Sequence, residues 1–309
     1  MSFPLLELPI EIVTTIFEFA NDESLLNLAQ ASKITSRLAC PIFLNRNEAL
    51  DRIEFIEMVG GGKISIRFSF GKDNLRSKFA FLKALKCVQT RLLFVNSEGV
   101  HTTMTKSEIV QFFDQMSSKT EGIKSKSLEF EPTPTMISLI SKIFKGKSVP
   151  ELVFKLEDEI FAFNSLMNLI IQLETTSIRV RLGKFYPGYY LGQLATVVDK
   201  ILISGSVKKD NAVAWNAHDI LSRRCCHLDF TNSSLTFESV DLLLLSDMLN
   251  EDIGDRPFFF TAMVADNYTS QSGYEKRRFI VNNHVMIKTL NSSDKNTIEL
   301  RHVNMKHRK

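Results

Sequence analysis

Long apolar runs and usefully spaced cysteines are both scarce in this chain. No run of about 18 apolar residues occurs, so no membrane span is expected. The four cysteines, Cys40, Cys87, Cys225 and Cys226, form no Cys-x-x-Cys pair, and adjacent Cys225 and Cys226 cannot easily bond each other. That is reduced, intracellular usage rather than a disulfide framework. A basic n-region is missing, and Glu7 and Glu11 interrupt the first apolar stretch, so no secretory signal is expected. Cytoplasmic and/or nuclear localisation follows as the expectation. The net charge is only +3 over 309 residues, which makes no strong case for nucleic acid or a membrane surface as partner. One tryptophan and five tyrosines stand against 24 phenylalanines, a balance read as core filling.

Catalytic motifs are equally scarce. No Gly-x-Ser-x-Gly, His-Glu-x-x-His or Gly-x-Gly-x-x-Gly is present, so neither a nucleophile elbow nor a zinc or dinucleotide fingerprint is offered. Gly60-Gly61-Gly62-Lys63 invites a phosphate-loop reading. Such a loop needs a Ser or Thr after the lysine and then a helix. Ile64 follows instead, and a strand is expected next, so the glycines read as a flexible link. His227 beside Cys226 makes no zinc site, because a structural zinc takes four ligands. Glu157, Asp158 and Glu159 read as a solvated turn, and Lys306-His307-Arg308-Lys309 as a frayed basic tail. No catalytic residue, cofactor or metal site is expected.

What is present begins at the N-terminus. Leu8-Pro9 opens a first helix, where proline costs no hydrogen bond. Ile12, Ile16 and Phe19 or Ala20 recur at helical spacing. Asn21-Asp22-Glu23-Ser24 ends that helix and caps the next, in which Leu25, Leu28, Ala29 and Ser32 share a face. A third segment holds Arg37, Leu38, Ile42 and Phe43, with Pro41 expected to kink it or start a new turn. A unit this small buries its own apolar surface poorly, which suggests that it docks onto another protein.

From Lys63 onward, strand-like and helical runs alternate. Strands are expected at Lys63–Phe68, Arg91–Val95, Ser127–Phe130, Leu152–Leu156, Ile178–Leu182, Ile201–Ile203 and Cys226–Phe230. Helices are expected at Phe79–Val88, Lys106–Met116, Thr135–Phe144, Asn164–Leu173, Leu191–Val198, Val213–Leu221 and Phe237–Leu249, with closing strands at Pro257–Val264, Arg278–Met286 and Ile298–Val303. Ile109, Phe112, Phe113 and Met116 fall on one helix face. Strand starts lie roughly 22 to 36 residues apart, within the range of α/β repeats. Leu228-Asp229-Phe230-Thr231-Asn232 weakly echoes the Leu-x-Leu-x-x-Asn step of leucine-rich repeats, with its asparagine one position early. The fold class is α/β, with three N-terminal helices and then an open α/β repeat solenoid; a doubly wound α/β domain fits the same alternation.

The stretch from Leu5 to Leu44 resembles an F-box. It supplies the Leu8-Pro9 opening, Glu11-Ile12, Ile16, an acidic turn at Asp22, Leu25-Leu26, Leu28, and Ser32-Lys33 with Arg37. The tryptophan common near the motif's end is missing, and Phe43 stands near its place. An F-box followed by a degenerate repeat region resembles the nematode F-box families with F-box-associated domains. The phrase Ser234-Leu235-Thr236-Phe237-Glu238-Ser239-Val240 is similar to a Leu-Thr step of those domains. The resemblance implies an F-box over 1–48, a linker over 49–62 and a target-recruiting repeat domain over 63–309. It implies a non-catalytic subunit of a Skp–cullin–F-box ubiquitin ligase. The Skp-type adaptor, and through it a cullin, would be held by Leu5, Leu8, Pro9, Ile12, Ile16, Phe17, Leu25, Leu28, Ser32 and Leu38. A protein-interaction scaffold without ubiquitin transfer and an α/β enzyme are the alternatives. In a scaffold, the N-terminal helices would cap the first repeat and hide the stripe of Ile12, Ile16 and Leu25. An enzyme would place a deep polar pocket at the carboxyl ends of parallel strands.

Overall fold

The computed structural model describes residues 7–46, 50–60, 62–70, 80–82, 94–96, 99–117, 124–156, 162–183, 188–205, 224–233, 236–237, 259–264, 279–281, 285–292 and 295–302. Leu5, Cys87, Glu157–Glu159, the helix expected at 213–221 and all but Phe237 of the helix expected at Phe237–Leu249 lie outside them; Phe237 ends a short strand. The chain divides into two compact units, Met1–Glu131 with Leu139–Lys145, and Pro132–Ser138 with Gly146–Lys309. It is a mixed α/β protein with three N-terminal helices and open, non-barrel sheet.

The first unit begins with α1 (Ile10–Phe19), α2 (Asp22–Ala31) and α3 (Lys33–Arg46). Pro9 occupies the N-cap of α1, and its carbonyl accepts from the N–H groups of Ile12 and Val13 at 3.0 and 3.1 Å. In the acidic turn the cap of α2 is Asn21, whose side chain accepts from the Ser24 N–H at 2.8 Å. Ser32 caps α3 reciprocally. Its Oγ accepts from the Thr35 N–H at 3.1 Å, while Thr35 Oγ1 accepts from the Ser32 N–H at 3.0 Å. Thr35 thus takes the place that Glu or Gln holds in a capping box. The third helix runs through Pro41 rather than restarting there, forgoing the one bond that a proline nitrogen cannot give. Val13, Phe17, Leu25, Leu26, Ala29, Ala39, Cys40 and Phe43 are buried, and α3 packs against both α1 and α2.

Five strands follow: β1 (Leu50–Glu57), β2 (Lys63–Ser69), β3 (Phe94–Asn96), β4 (Gly99–Thr105) and β5 (Ser125–Phe130), with α4 (Lys106–Ser117) between the last two. Their order is β3-β4-β2-β1-β5. The first three contacts are antiparallel, and β1 pairs β5 in parallel. This corrects the expected linker over 49–62. The stretch is a strand paired with β2 and β5; Ile53 and Phe55 are buried two residues apart, and Leu50 at its start is buried as well. Gly60 and Gly62, both at positive φ, lie between the paired strands β1 and β2, where Met58 N–H donates to the Lys63 carbonyl at 3.0 Å. The run from Lys63 to Phe68 likewise belongs to an antiparallel meander rather than to a parallel βα repeat.

Thr105 and Glu108 form a capping box at the start of α4. The Thr105 N–H donates to Glu108 Oε2 at 2.8 Å, and the Glu108 N–H to Thr105 Oγ1 at 3.3 Å. The expected face of α4 is the buried one, with Ile109, Phe112, Phe113 and Met116 enclosed. Much of the phenylalanine surplus is here. Phe68 lies 5.1 Å from Phe81 and 5.9 Å from Phe112, and Phe113 lies 5.4 Å from Phe144, between ring centroids.

The second unit contains β6 (Glu151–Leu156), α6 (Phe163–Gln172), β7 (Ser177–Leu182), α7 (Gly188–Leu194), β8 (Lys200–Gly205) and β9 (His227–Ser233), while the preceding α5 (Pro134–Ile143) gives residues to both units. β10 (Thr236–Phe237), β11 (Phe259–Val264), β12 (Phe279–Val281), β13 (Val285–Ser292) and β14 (Lys295–His302) complete it. The order is β6-β7-β8-β9-β11-β14-β13-β12, with β10 beside β11. Pairing is parallel as far as β11 and antiparallel beyond it. The segment expected as one strand over 278–286 is two antiparallel strands.

From β6 to β9 the strand starts are 23 to 27 residues apart, and a hydrogen-bond pattern recurs at each step. The first residue of a strand and the residue before it both donate to the carbonyl just ahead of the previous strand. Thr176 and Ser177 bond Pro150, Asp199 and Lys200 bond Thr176, and Cys226 and His227 bond Asp199, all at 2.9–3.2 Å. Leu152, Ile178, Ile201 and Leu228 align in register as one buried column. Three residues ahead of each stands another buried side chain, Val149, Thr175, Val198 or Cys225.

The strands advance in one direction, and right-handed crossovers taken in one direction deposit every helix on the same face. The burial pattern of β7 agrees, with Ile178, Val180 and Leu182 buried and Arg179 and Arg181 exposed. Replacing Ile178 by Ala should cost about 2–5 kcal/mol in chemical unfolding, whereas Arg179→Ala should cost less than about 1 kcal/mol. Equal costs would contradict the assignment of the two faces.

Candidate functional site

Helix α1 carries more apolar side chains than one face can hide. Val13 and Phe17, four residues apart, are the buried pair. Ile12, Ile16 and Phe19 repeat at i, i+4 and i+7 on another face and are 50%, 41% and 87% exposed. Ile10 is also exposed, as is Ile34 at the start of α3. The polar side of α1 is self-sufficient: Thr14 and Thr15 hydroxyls donate to the carbonyls of Ile10 and Glu11 at 2.8 and 2.9 Å. An exposed stripe of large aliphatic and aromatic side chains supports association by desolvation, not bond chemistry.

The structure sorts the ten expected contact residues. Pro9, Ile12 and Ile16 are exposed, and Leu8, Leu28, Ser32 and Leu38 are half-buried. Phe17 and Leu25 are fully enclosed; they hold the three helices together and are not presented to a partner. The spacing from Val13 to Phe17 explains this, because a helix that must pack on α3 turns one i, i+4 pair inward. Ser32 is engaged as a cap. Leu5 lies outside the described residues. Phe19 and Ile34 belong to the exposed apolar surface and were absent from the expected contacts. Phe19 could have been found by extending the step from Ile12 to Ile16 by three more residues.

Elsewhere the side-chain chemistry is sparse. Cys225 is buried and its thiol is pushed up to about 12, first by desolvation and then by the neighbouring Cys226 and Asp199 charges, against the lowering effect of backbone hydrogen bonds. Its Sγ donates to the His227 carbonyl at 3.3 Å. Cys226 is exposed, with Sγ donating to the Asp199 carbonyl at 3.4 Å. Burial first, and then Lys200, hold His227 below its ordinary value, opposed by Asp229. Arg67 Nε donates to His101 Nδ1 at 3.4 Å, and His101 Nε2 and Thr102 Oγ1 are buried without a partner. Among the described residues no group of three His, Cys, Asp or Glu side chains could hold a metal ion. Among them, too, no helix is long and apolar enough to cross a membrane.

Comparison with protein-family models, with curated proteins and with solved structures gives no match in any of the three.

Burial orders the thiols by reactivity. In the native protein near neutral pH, iodoacetamide should label Cys226 and spare Cys40 and Cys225, which should react only after unfolding. Peptide mass spectrometry reads this, and native labelling of Cys225 would contradict its placement. His227 gives a pH dependence. Its imidazole is harder to protonate in the folded protein than in the unfolded chain, so the unfolded chain takes up the proton first. Its contribution to stability is therefore complete above its ordinary value of 6.5 and declines as the pH falls below it. The urea midpoint should drop between pH 7.5 and 5.5, and His227→Gln should drop less.

Proposed function

We propose that this chain is a non-catalytic, target-recruiting subunit of a Skp–cullin–F-box ubiquitin ligase, working in the cytoplasm and/or nucleus and needing no cofactor. The observation that carries the reading is the stripe of Ile12, Ile16 and Phe19, left exposed on a helix whose other apolar face is folded inward. A helix that presents an i, i+4, i+7 apolar set is built to be laid against a partner's apolar groove. The capped three-helix arrangement over 10–46, with its Leu-Pro opening and its Ser-Lys-x-x-x-Arg segment, supports an F-box. The Skp-type adaptor is the partner proposed for it, with a cullin reached through the adaptor.

The second unit supports the target-holding half of the reading. Val149-x-x-Leu152-x-Phe154, Thr175-x-x-Ile178-x-Val180, Val198-x-x-Ile201-x-Ile203 and Cys225-x-x-Leu228-x-Phe230 share one frame of buried positions, apolar but for Thr175, which resembles the spacing of a leucine-rich repeat and supports that reading. Successive strands are neighbours in space, whereas a doubly wound domain reverses its strand order at the ligand crevice. This weighs against the enzyme alternative. The exposure of Ile12 and Ile16 weighs against α1 being merely a cap on a scaffold. Holding a target beside the ligase acts by raising its local concentration near the ubiquitin-loaded enzyme.

Co-expression with a Skp-type adaptor tests the reading. The full chain should co-purify with the adaptor. Ile12→Asp with Ile16→Asp should lose at least about tenfold in affinity, since a buried anchor contributes about 1–4 kcal/mol to a helix interface, while its circular dichroism stays that of the parent. Equal co-purification of the two chains would remove the proposal.

A further inference from the structure

We draw no further inference here: the strongest candidate, the exposed apolar tip of the β1–β2 hairpin at Ile56, Met58 and Val59, carries none, because nothing in the structure shows what covers it.

Discussion

Burial on one side only is the constraint from which the rest follows. An isolated helix can press a single stripe against its neighbours, and α1 uses Val13 and Phe17 for this. The apolar residues left over, Ile12, Ile16 and Phe19, remain in water at a free-energy cost that burial against a partner would remove. The same constraint acts on a larger scale in the second unit. Crossovers of one hand, taken in one direction, cover one face of the parallel strands, and on the opposite face of β7 Arg179 and Arg181 are left exposed. The apolar stripe of α1 is therefore the by-product of what lies buried behind it, as is the placing of Arg179 and Arg181 on the outer side of β7.

The register of these parallel strands is held by backbone rather than side-chain chemistry. At each step two N–H groups meet one carbonyl, those of Pro150, Thr176 and Asp199. This fixes the register in which Leu152, Ile178, Ile201 and Leu228 stack, and so fixes which residues are left outside. The side chains that complete the frame, Val149, Thr175, Val198 and Cys225, are of three different chemical types. What they share is small or medium size and a buried position. Cys225 fits this role: desolvated and bonded to a carbonyl, its thiol packs and does not react.

Much of this was legible in the sequence, and the gaps have physical causes. Period-two alternation in Ser177–Leu182 and the helical spacing of Ile109, Phe112, Phe113 and Met116 located β7 and α4 within a residue. The N-terminal helices were found from Leu-Pro, the acidic turn and the apolar spacing. Their inward and outward faces were not separated, because Ile16 and Phe17 look alike until α3 chooses a side. In the sequence Leu50–Glu57 reads as a linker because the glycines after it suggest flexibility, whereas Gly60 and Gly62 lie between the two strands of a hairpin. Direction of pairing was also hidden: β2 alternates as a repeat strand would, and only its long-range register with β1 and β4 makes it antiparallel. Neighbours across the parallel strands could not be read at all, since pairs such as Leu202 and Asp229 are brought together only by register.

Hydrogen–deuterium exchange of the full chain, alone and mixed with a purified Skp-type adaptor, tests most directly whether the outer stripe of α1 is where this protein docks. Docking as described predicts new protection in α1 and the start of α3, over 10–19 and 33–36, with β6–β9 unchanged. Unaltered exchange across α1 in the presence of the adaptor, or protection confined to the sheet, would contradict it.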